Sequence, residues 1–139
     1  MRLWHKKLIS ALPRQQLIAQ WRECSAIAGA IAKNGTPNHV LVNKVLDYDF
    51  DEFITYSSLI KAEMLSRGYK ITNAVWNKIT SLKPDWKPIS TKELFKNWHN
   101  QRYLWQCYYN LEEKFDCGMI TEEEFSKIAD KTFIIEEEI

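Results

Sequence analysis

Residues 13–33 read PRQQLIAQWRECSAIAGAIAK, and this stretch decides the fold class of the chain. Apolar side chains recur in it every three or four residues, which places them in one stripe along an α-helix. That stripe consists of Leu17, Trp21, Cys24, Ala28 and Ile31. Ser10 and Pro13 are typical of a helix start, and Gly35 followed by Pro37 is typical of a helix end. The sequence therefore predicts a helix over about residues 13–33.

Helical patterns account for most of the chain after this helix. Residues 51–67 predict a second helix, and a shorter third helix begins at Asn73. A capping box of the type Ser-x-x-Glu opens the longest predicted helix, over residues 90–116, and another at Thr121 opens a last short helix. Residues 38–50 stay ambiguous, because their valines favour β-structure but no turn signal would form a hairpin.

Length and composition agree with one folded unit. The chain has 139 residues, is 45% hydrophobic and contains only 4 Gly and 4 Pro, so it can bury a sizeable core. We expect an all-α fold, namely a compact single domain of about four to six helices over residues 1–139.

The formal net charge of +1 hides an uneven distribution of charges. Residues 1–100 contain 15 Lys and Arg against 8 Asp and Glu, whereas residues 101–139 contain 4 against 10. The acidic C-terminal segment 119–139 includes three glutamates in the first turn of a predicted helix, where the helix dipole favours negative charge. A basic region joined to an acidic end is a recognised pattern, so the near-neutral total does not exclude a nucleic-acid partner.

Several classes of protein are excluded early. No stretch approaches the roughly 18 apolar residues of a membrane span, and residues 1–7 lack the apolar core of a signal peptide. We therefore expect a cytoplasmic protein without membrane contact. The three cysteines, Cys24, Cys107 and Cys117, are odd in number and widely spaced, which predicts reduced and mostly buried thiols.

Short catalytic motifs are missing from the sequence. It contains no phosphate-binding loop, dinucleotide-binding motif, zinc-protease motif or serine-hydrolase motif, so we expect no cofactor. His5, His39 and His99 are scattered, and without a local pair of ligands we expect no metal site. A metal-dependent enzyme that brings these three histidines together remains a third hypothesis for function.

Outside its apolar stripe, the first helix has a face of polar and small residues. Small residues let a ligand approach the backbone, while arginine and glutamine supply donors for phosphates or bases. The alternative is an ordinary solvated helix face. The residues of this face are Gln15, Gln16, Ala19, Gln20, Arg22, Glu23, Ala26, Gly29 and Lys33.

The opening MRLWHKKLISALPRQQLIAQWRECSAIAGAI, residues 1–31, resembles the N-terminal part of pyrimidine-dimer DNA glycosylases, the endonuclease V excision family. Its start and its WRE triplet look like the cellular members of that family. Family members have a small all-α fold, in agreement with the helical pattern. The residues that carry the resemblance are the pair Arg22-Glu23, the positions Leu8, Leu12 and Leu17, and the segment LSRGYKI at 65–71.

The resemblance implies a DNA glycosylase with abasic-site lyase activity. In this family the amino group of the N-terminus attacks the sugar carbon that bears the damaged base, and a Schiff base forms after the base leaves. By match, Met1 supplies the amine, Glu23 stabilises the positive charge on the opened sugar, and Arg22 holds a phosphate. β-Elimination then cuts the strand. The implied partner is damaged or abasic double-stranded DNA, and we expect a monomer.

The sequence also departs from the phage enzyme, which exposes a Thr amine after loss of methionine. Here Met1 precedes the bulky Arg2, so we expect Met1 to be retained. Ala26 and Gln16 stand where the phage enzyme has a basic residue and a histidine, so the DNA contacts differ. The alternative function is a non-catalytic helical protein that keeps the fold and binds DNA or another partner.

The predicted long helix supplies a second candidate surface. Arg102 and His99 are expected to contact DNA from the surface, whereas Trp98 and Trp105 are expected to pack in the core. His39 is a further candidate contact. The complete set of expected DNA-binding residues is Arg2, His5, Arg14, Gln15, Gln16, Arg22, His39, His99 and Arg102.

Overall fold

The computed structural model describes residues 1–137, with side chains described as far as residue 131. Over residues 1–137 it contains α-helices and 3₁₀ helices but no strand, which confirms the all-α prediction. The α-helices are α1 (Arg14–Asn34), α2 (Phe50–Ser66), α3 (Asn73–Thr80), α4 (Gln101–Asp116) and α5 (Glu122–Glu137). Short 3₁₀ helices lie at Lys6–Ala11 and Asn43–Asp47.

Helix α1 is the longest element and packs against α2 and α3. Its buried face contains the whole predicted apolar stripe, together with Gln20 and Ile27. At its end Gly35 has φ 76°, a left-handed conformation that costs glycine little, and the Gly35 amide donates to the Ile31 carbonyl at 2.8 Å. At its start the Arg14 amide donates to Glu124 Oε2 at 3.1 Å, so α5 supplies the cap that Pro13 lacks.

Helices α2 and α3 lie close to their predicted bounds. The Asp49 side chain accepts a hydrogen bond from the Asp51 amide at 2.9 Å and caps α2. Helix α3 begins at Asn73, after the N-cap residue Thr72, and ends at Thr80. The ambiguous segment between α1 and α2 is a turn followed by the 3₁₀ helix Asn43–Asp47.

The single long helix predicted over residues 90–116 is wrong. Phe95 and Asn97 have positive φ values of 50° and 75°, which interrupt a right-handed helix, and α4 begins only at Gln101. Burial explains the interruption, because the Phe95 side chain is fully buried and its amide donates to Glu52 Oε1 at 2.8 Å. Tertiary contacts therefore outweigh the helical pattern before Asn100, which caps α4 instead.

Helix α5 shows the predicted capping box at its start. Thr121 Oγ1 accepts from the Glu124 amide at 3.1 Å, and Glu124 Oε1 accepts from the Thr121 amide at 3.2 Å. The helix has 16 residues, so the prediction of a short last helix is wrong. It packs on α4 and on the 3₁₀ helix Lys6–Ala11. The last two residues of the acidic segment 119–139 lie outside the described residues, as do the side chains from 132 onwards.

The core combines residues from all five α-helices with the first twelve residues of the chain. Cys24 and Cys107 are buried and Cys117 is exposed, and all three are free thiols, as expected. Burial raises the pKa of the Cys24 thiol to about 12, which keeps it protonated and unreactive. Among the described residues, no helix is both long and apolar enough to cross a membrane.

Candidate active site

The N-terminal arm, residues 1–5, lies against the helices and is held there by its backbone. Leu3 is fully buried and its carbonyl accepts from the Tyr103 hydroxyl at 2.6 Å. The Trp4 carbonyl accepts from the Tyr56 hydroxyl, also at 2.6 Å. The Lys6 amide donates to His99 Nδ1 at 2.9 Å. These bonds come from α2, α4 and the loop before α4, and they hold the backbone of the arm against the helices.

The Gln20 side chain connects this arm to helix α1. Its Oε1 accepts from the Trp4 amide at 2.7 Å, and its Nε2 donates to the Arg2 carbonyl at 2.9 Å. A second Nε2 bond of 2.9 Å goes to Glu23 Oε2. Both amide hydrogens of Gln20 are therefore used, and the Trp4 donor and the Arg2 acceptor together determine which way the amide points.

The Glu23 carboxylate is half-buried and carries a shifted pKa. Burial raises the pKa of Glu23, while the positive charge of the N-terminal amino group and the hydrogen bond from Gln20 oppose this shift. A carboxyl group with a raised pKa is suited to proton transfer.

Met1 and Glu23 line the same cavity, which has a volume of about 710 Å³. Its walls come from the arm, from the outer face of α1, from the loop after α1 and from α4. The size falls in the range of pockets that hold small organic ligands or nucleotides. The predicted site residues found in its lining are Met1, Arg2, Arg14, Gln15, Gln16, Arg22 and Glu23.

The cavity is strongly basic. Arg2, Arg14, Arg22 and Lys114 line it together with Met1, and among the described residues Glu23 is the one acidic residue in the lining. A concave site with cations on several walls attracts phosphate groups and concentrates a polyanion. Three of these four cations come from the basic part of the sequence, residues 1–100, and Lys114 comes from the acidic part.

Two of the lining arginines are held by aromatic rings. The Arg2 guanidinium lies over the Trp4 ring at 5.4 Å and donates to Cys107 Sγ at 3.9 Å. The Arg14 guanidinium lies over the Tyr69 ring at 5.7 Å. Such contacts restrict a long side chain, so these two charges have defined positions. Arg22 is exposed on the outer face of α1.

His5 and His99 do not lie at the surface, and the surface position predicted for His99 is wrong. Both rings are buried and stack with their centroids 5.0 Å apart. Burial lowers the pKa of His5 to about 4 and lowers that of His99 well below its usual value. Two neutral imidazoles in the interior hold the arm in place and have no access to DNA in this structure.

His39 and Arg102 lie outside the cavity lining. His39 Nδ1 accepts from the Leu41 amide at 3.3 Å, which makes the ring part of the loop after α1. Arg102 is exposed on α4. Among the described residues, no three His, Cys, Asp or Glu side chains are placed to hold a metal ion, so the structure does not bring the three histidines together.

The aromatic residues near α4 divide between core and surface. Trp98 is buried as predicted, next to Phe95 at 4.7 Å between ring centroids. Trp105 is only half-buried and stacks on the exposed ring of Tyr109 at 5.9 Å.

The prediction that Gln20 lies on the outer face of α1 is wrong. Gln20 is fully buried, one helical turn after Leu17 on the core side. A polar residue on an apolar face indicates a buried hydrogen-bond network, and that signal is present in the sequence. The contributions of Tyr56, Tyr103 and Lys114 depend on long-range packing and leave no comparable local signal.

These observations define a small all-α protein whose N-terminal residue lines a basic cavity together with the Glu23 carboxylate. The family model described as pyrimidine dimer DNA glycosylase matches residues 1–77, more than half of the chain. The chain belongs to this family. The match covers the arm, α1 and α2, and with them the pair Met1 and Glu23. Searches of the curated proteins and of the solved structures gave no match.

Proposed function

We propose that this protein is a DNA glycosylase with abasic-site lyase activity, acting on damaged pyrimidines through the α-amino group of Met1. The observation that carries the proposal is the shared cavity of Met1 and Glu23, with Gln20 bound to both the arm and the carboxylate. Membership of the pyrimidine dimer glycosylase family supports the same substrate class. We further propose that it acts as a monomer on double-stranded DNA in the cytoplasm.

The reaction begins with the neutral Met1 amine. Its nitrogen forms a bond to C1′ of the damaged nucleotide, the C1′–N bond to the base breaks, and the base leaves with a proton. The C1′–O4′ bond then breaks, O4′ takes up a proton as the ring opens, and a protonated Schiff base is left between the Met1 nitrogen and C1′. Loss of a proton from C2′ and breakage of the C3′–O bond cut the strand by β-elimination, and hydrolysis of the imine releases the enzyme.

Glu23 stabilises positive charge and transfers protons in these reaction steps. As a carboxylate it stabilises the cationic sugar and the protonated Schiff base. Burial raises the pKa of Glu23, which makes the carboxylate a stronger base and suits removal of the C2′ proton. Because both Nε2 hydrogens of Gln20 are engaged, one of them by Glu23 Oε2, the carboxylate has a defined orientation toward the cavity.

The cations of the cavity bind the DNA backbone. Arg22 is exposed next to Glu23 and holds a phosphate beside the lesion with its planar guanidinium. Arg14 and Lys114 lie on different walls and contact phosphates to either side. A nucleotide must leave the helical stack to reach Met1, at a cost of a few kcal/mol that is lower at damaged sites.

Borohydride trapping on abasic duplex DNA tests the proposal. Reduction of the imine converts it to a stable protein–DNA adduct, and we expect that adduct from the unaltered chain. Glu23→Gln should lower its yield at least tenfold, because one oriented charge of this kind is worth two to three orders of magnitude in rate. Glu113→Gln, on the exposed surface of α4 outside the cavity lining, is the matched control.

The amine is tested separately from the carboxylate. One glycine added before Met1 displaces the nucleophile by about 3.5 Å and should abolish the adduct, as should acetylation of the α-amine. Mass spectrometry of the digested adduct should place the sugar on the N-terminal peptide. A folded protein that forms no adduct, or forms it on a lysine, overturns the proposed mechanism.

A second candidate function is DNA binding without chemistry. The cationic cavity favours it, because four Arg and Lys side chains bind phosphates whether or not the amine reacts. It requires salt-dependent binding of duplex DNA, no adduct and no strand cleavage. The same trapping experiment therefore decides between the two functions.

A further inference from the structure

The loop between α1 and α2 exposes two adjacent apolar side chains at the edge of the basic cavity. Val40 is 85% exposed and Leu41 is 48% exposed, and Leu41 belongs to the cavity lining. We propose that Val40 and Leu41 form an apolar wedge that enters the base stack of duplex DNA next to the damaged nucleotide. This inference rests on the proposed function and names the contact that opens the duplex.

The loop that presents the wedge is held by hydrogen bonds of its own. The His39 carbonyl accepts from the amides of Val42 and Asn43, at 3.0 and 2.8 Å. Asn43 Oδ1 accepts from the His39 amide at 3.0 Å, and Thr36 Oγ1 accepts from the Asn38 amide at 3.0 Å. A side chain that separates stacked bases must be held rigidly. The hydrogen bonds within this loop restrict the backbone that carries the wedge.

Buried residues that follow Val40 and Leu41 in the chain anchor the loop. Val42 and Val45 are fully buried in the core, while Val40 and Leu41 point away from it. Asn38 has φ 56°, a left-handed turn that asparagine tolerates, and this turn precedes the exposed pair. The two side chains therefore project from an anchored base.

The charges around the wedge fit DNA better than they fit an apolar protein surface. Lys33 and Lys44 are exposed on either side of the loop in the chain, and Leu41 shares its cavity with Arg22 and Lys114. A DNA duplex complements this arrangement, because its apolar base stack lies between two rows of negatively charged phosphates. Proteins that kink DNA use leucine and other apolar side chains as wedges of this kind.

The test uses a duplex with a tetrahydrofuran abasic analogue, which cannot form a Schiff base, and 2-aminopurine beside it. The unaltered chain should bind it and raise the 2-aminopurine fluorescence, because a wedge separates that base from its neighbour. The variant Val40→Ser/Leu41→Ser should bind about tenfold more weakly and leave the fluorescence low. The salt dependence of its binding should be unchanged, since no phosphate contact is removed.

Leu65→Ser is the matched control, because Leu65 is 51% exposed on α2 and lies outside the cavity lining. It should bind and raise the fluorescence like the unaltered chain. The wedge is overturned if the double variant keeps the fluorescence response, if Leu65→Ser loses as much affinity, or if the double variant weakens binding equally on undamaged duplex.

Single-stranded abasic DNA separates failure of the wedge from failure of the proposed reaction. It has no stack to open, so the unaltered chain should form the borohydride adduct with it whether or not the wedge exists. An adduct together with an unaltered fluorescence response in the double variant overturns the wedge alone. No adduct from any form of the protein overturns the Schiff-base reaction, and the fluorescence result then still decides whether the wedge exists.

Discussion

Gln20 Nε2 donates a hydrogen bond of 2.9 Å to Glu23 Oε2, one turn along α1, while the rest of the Gln20 amide binds the backbone of the N-terminal arm. One buried side chain thus contacts both the carboxylate and the N-terminal arm that begins at Met1. The Tyr56 hydroxyl, 2.9 Å from Gln20 Oε1 and 2.6 Å from the Trp4 carbonyl, strengthens the same network from α2.

Replacing Gln20 by leucine should therefore damage stability and reaction together. Gln20→Leu keeps the volume but leaves the Trp4 amide and the Arg2 carbonyl without their partner, which should cost about 2–4 kcal/mol. Urea unfolding measures that loss. The rate of borohydride trapping at saturating DNA should fall at least tenfold while the DNA affinity changes little, because the cationic residues stay in place.

Gln106→Leu is the control for this variant, since Gln106 is exposed on α4 and outside the cavity lining. A trapping rate in Gln20→Leu equal to that of the control would show that Gln20 supports the fold without orienting the reacting groups.

Glu23→Gln should be more stable than the unaltered chain at neutral pH, although we expect it to form less adduct. Burial raises the pKa of Glu23, so the ionised carboxylate destabilises the folded state above its folded pKa. The gain in melting temperature should be roughly 1–3 °C at pH 7.5 and should shrink as the pH falls and the carboxyl becomes protonated. Calorimetry at several pH values measures it, and a destabilised variant at pH 7.5 would contradict the expectation.

Acid should destabilise the protein partly through the buried histidine pair. The unfolded chain protonates His5 at its ordinary pKa of 6.5, whereas the folded chain does so only near pH 4. The unfolded state therefore binds more protons in this window, and stability should fall as the pH drops from 6.5 to 4, by up to about 1.4 kcal/mol per pH unit for His5. His99 has a lowered pKa as well and adds a loss of the same sign.

The variant His5→Asn isolates this contribution. Asparagine can still accept the hydrogen bond from the Lys7 amide, which His5 Nδ1 now accepts at 3.1 Å, but it does not titrate. Its unfolding free energy should depend less steeply on pH between 6.5 and 4 than that of the unaltered chain. Parallel curves for the two proteins would contradict the assignment.

Arg22→Ala should weaken binding to duplex DNA and should reduce the salt dependence of the affinity. If Arg22 neutralises one phosphate, the slope of log affinity against log salt should decrease in magnitude by about 1. Fluorescence anisotropy at several salt concentrations measures this slope. Lys70→Ala, an exposed cation outside the cavity lining, should leave the slope nearly unchanged.

Local sequence patterns predicted the helices and helix ends that depend on residues close together in the chain. The stripe of α1, its end at Gly35 and the capping box of α5 were readable because each depends on residues three or four apart. The segment before α4 could not be predicted in this way. Phe95 is buried in the core with a positive φ, although the local pattern at its position favours a helix. The same limit explains His99, whose spacing resembled a surface stripe and whose ring is buried against His5.

The sequence by itself determined that the chain is helical and that Arg22 and Glu23 stand on the first helix, because helix periodicity is a property of neighbouring residues. Only the tertiary structure decided that the arm runs along α1 to bring Met1 into the cavity of Glu23. That placement depends on hydrogen bonds donated by Tyr56 and Tyr103 and accepted by His99, which are between about 50 and 100 residues away in the chain. Contacts of that separation form only when the whole core is packed.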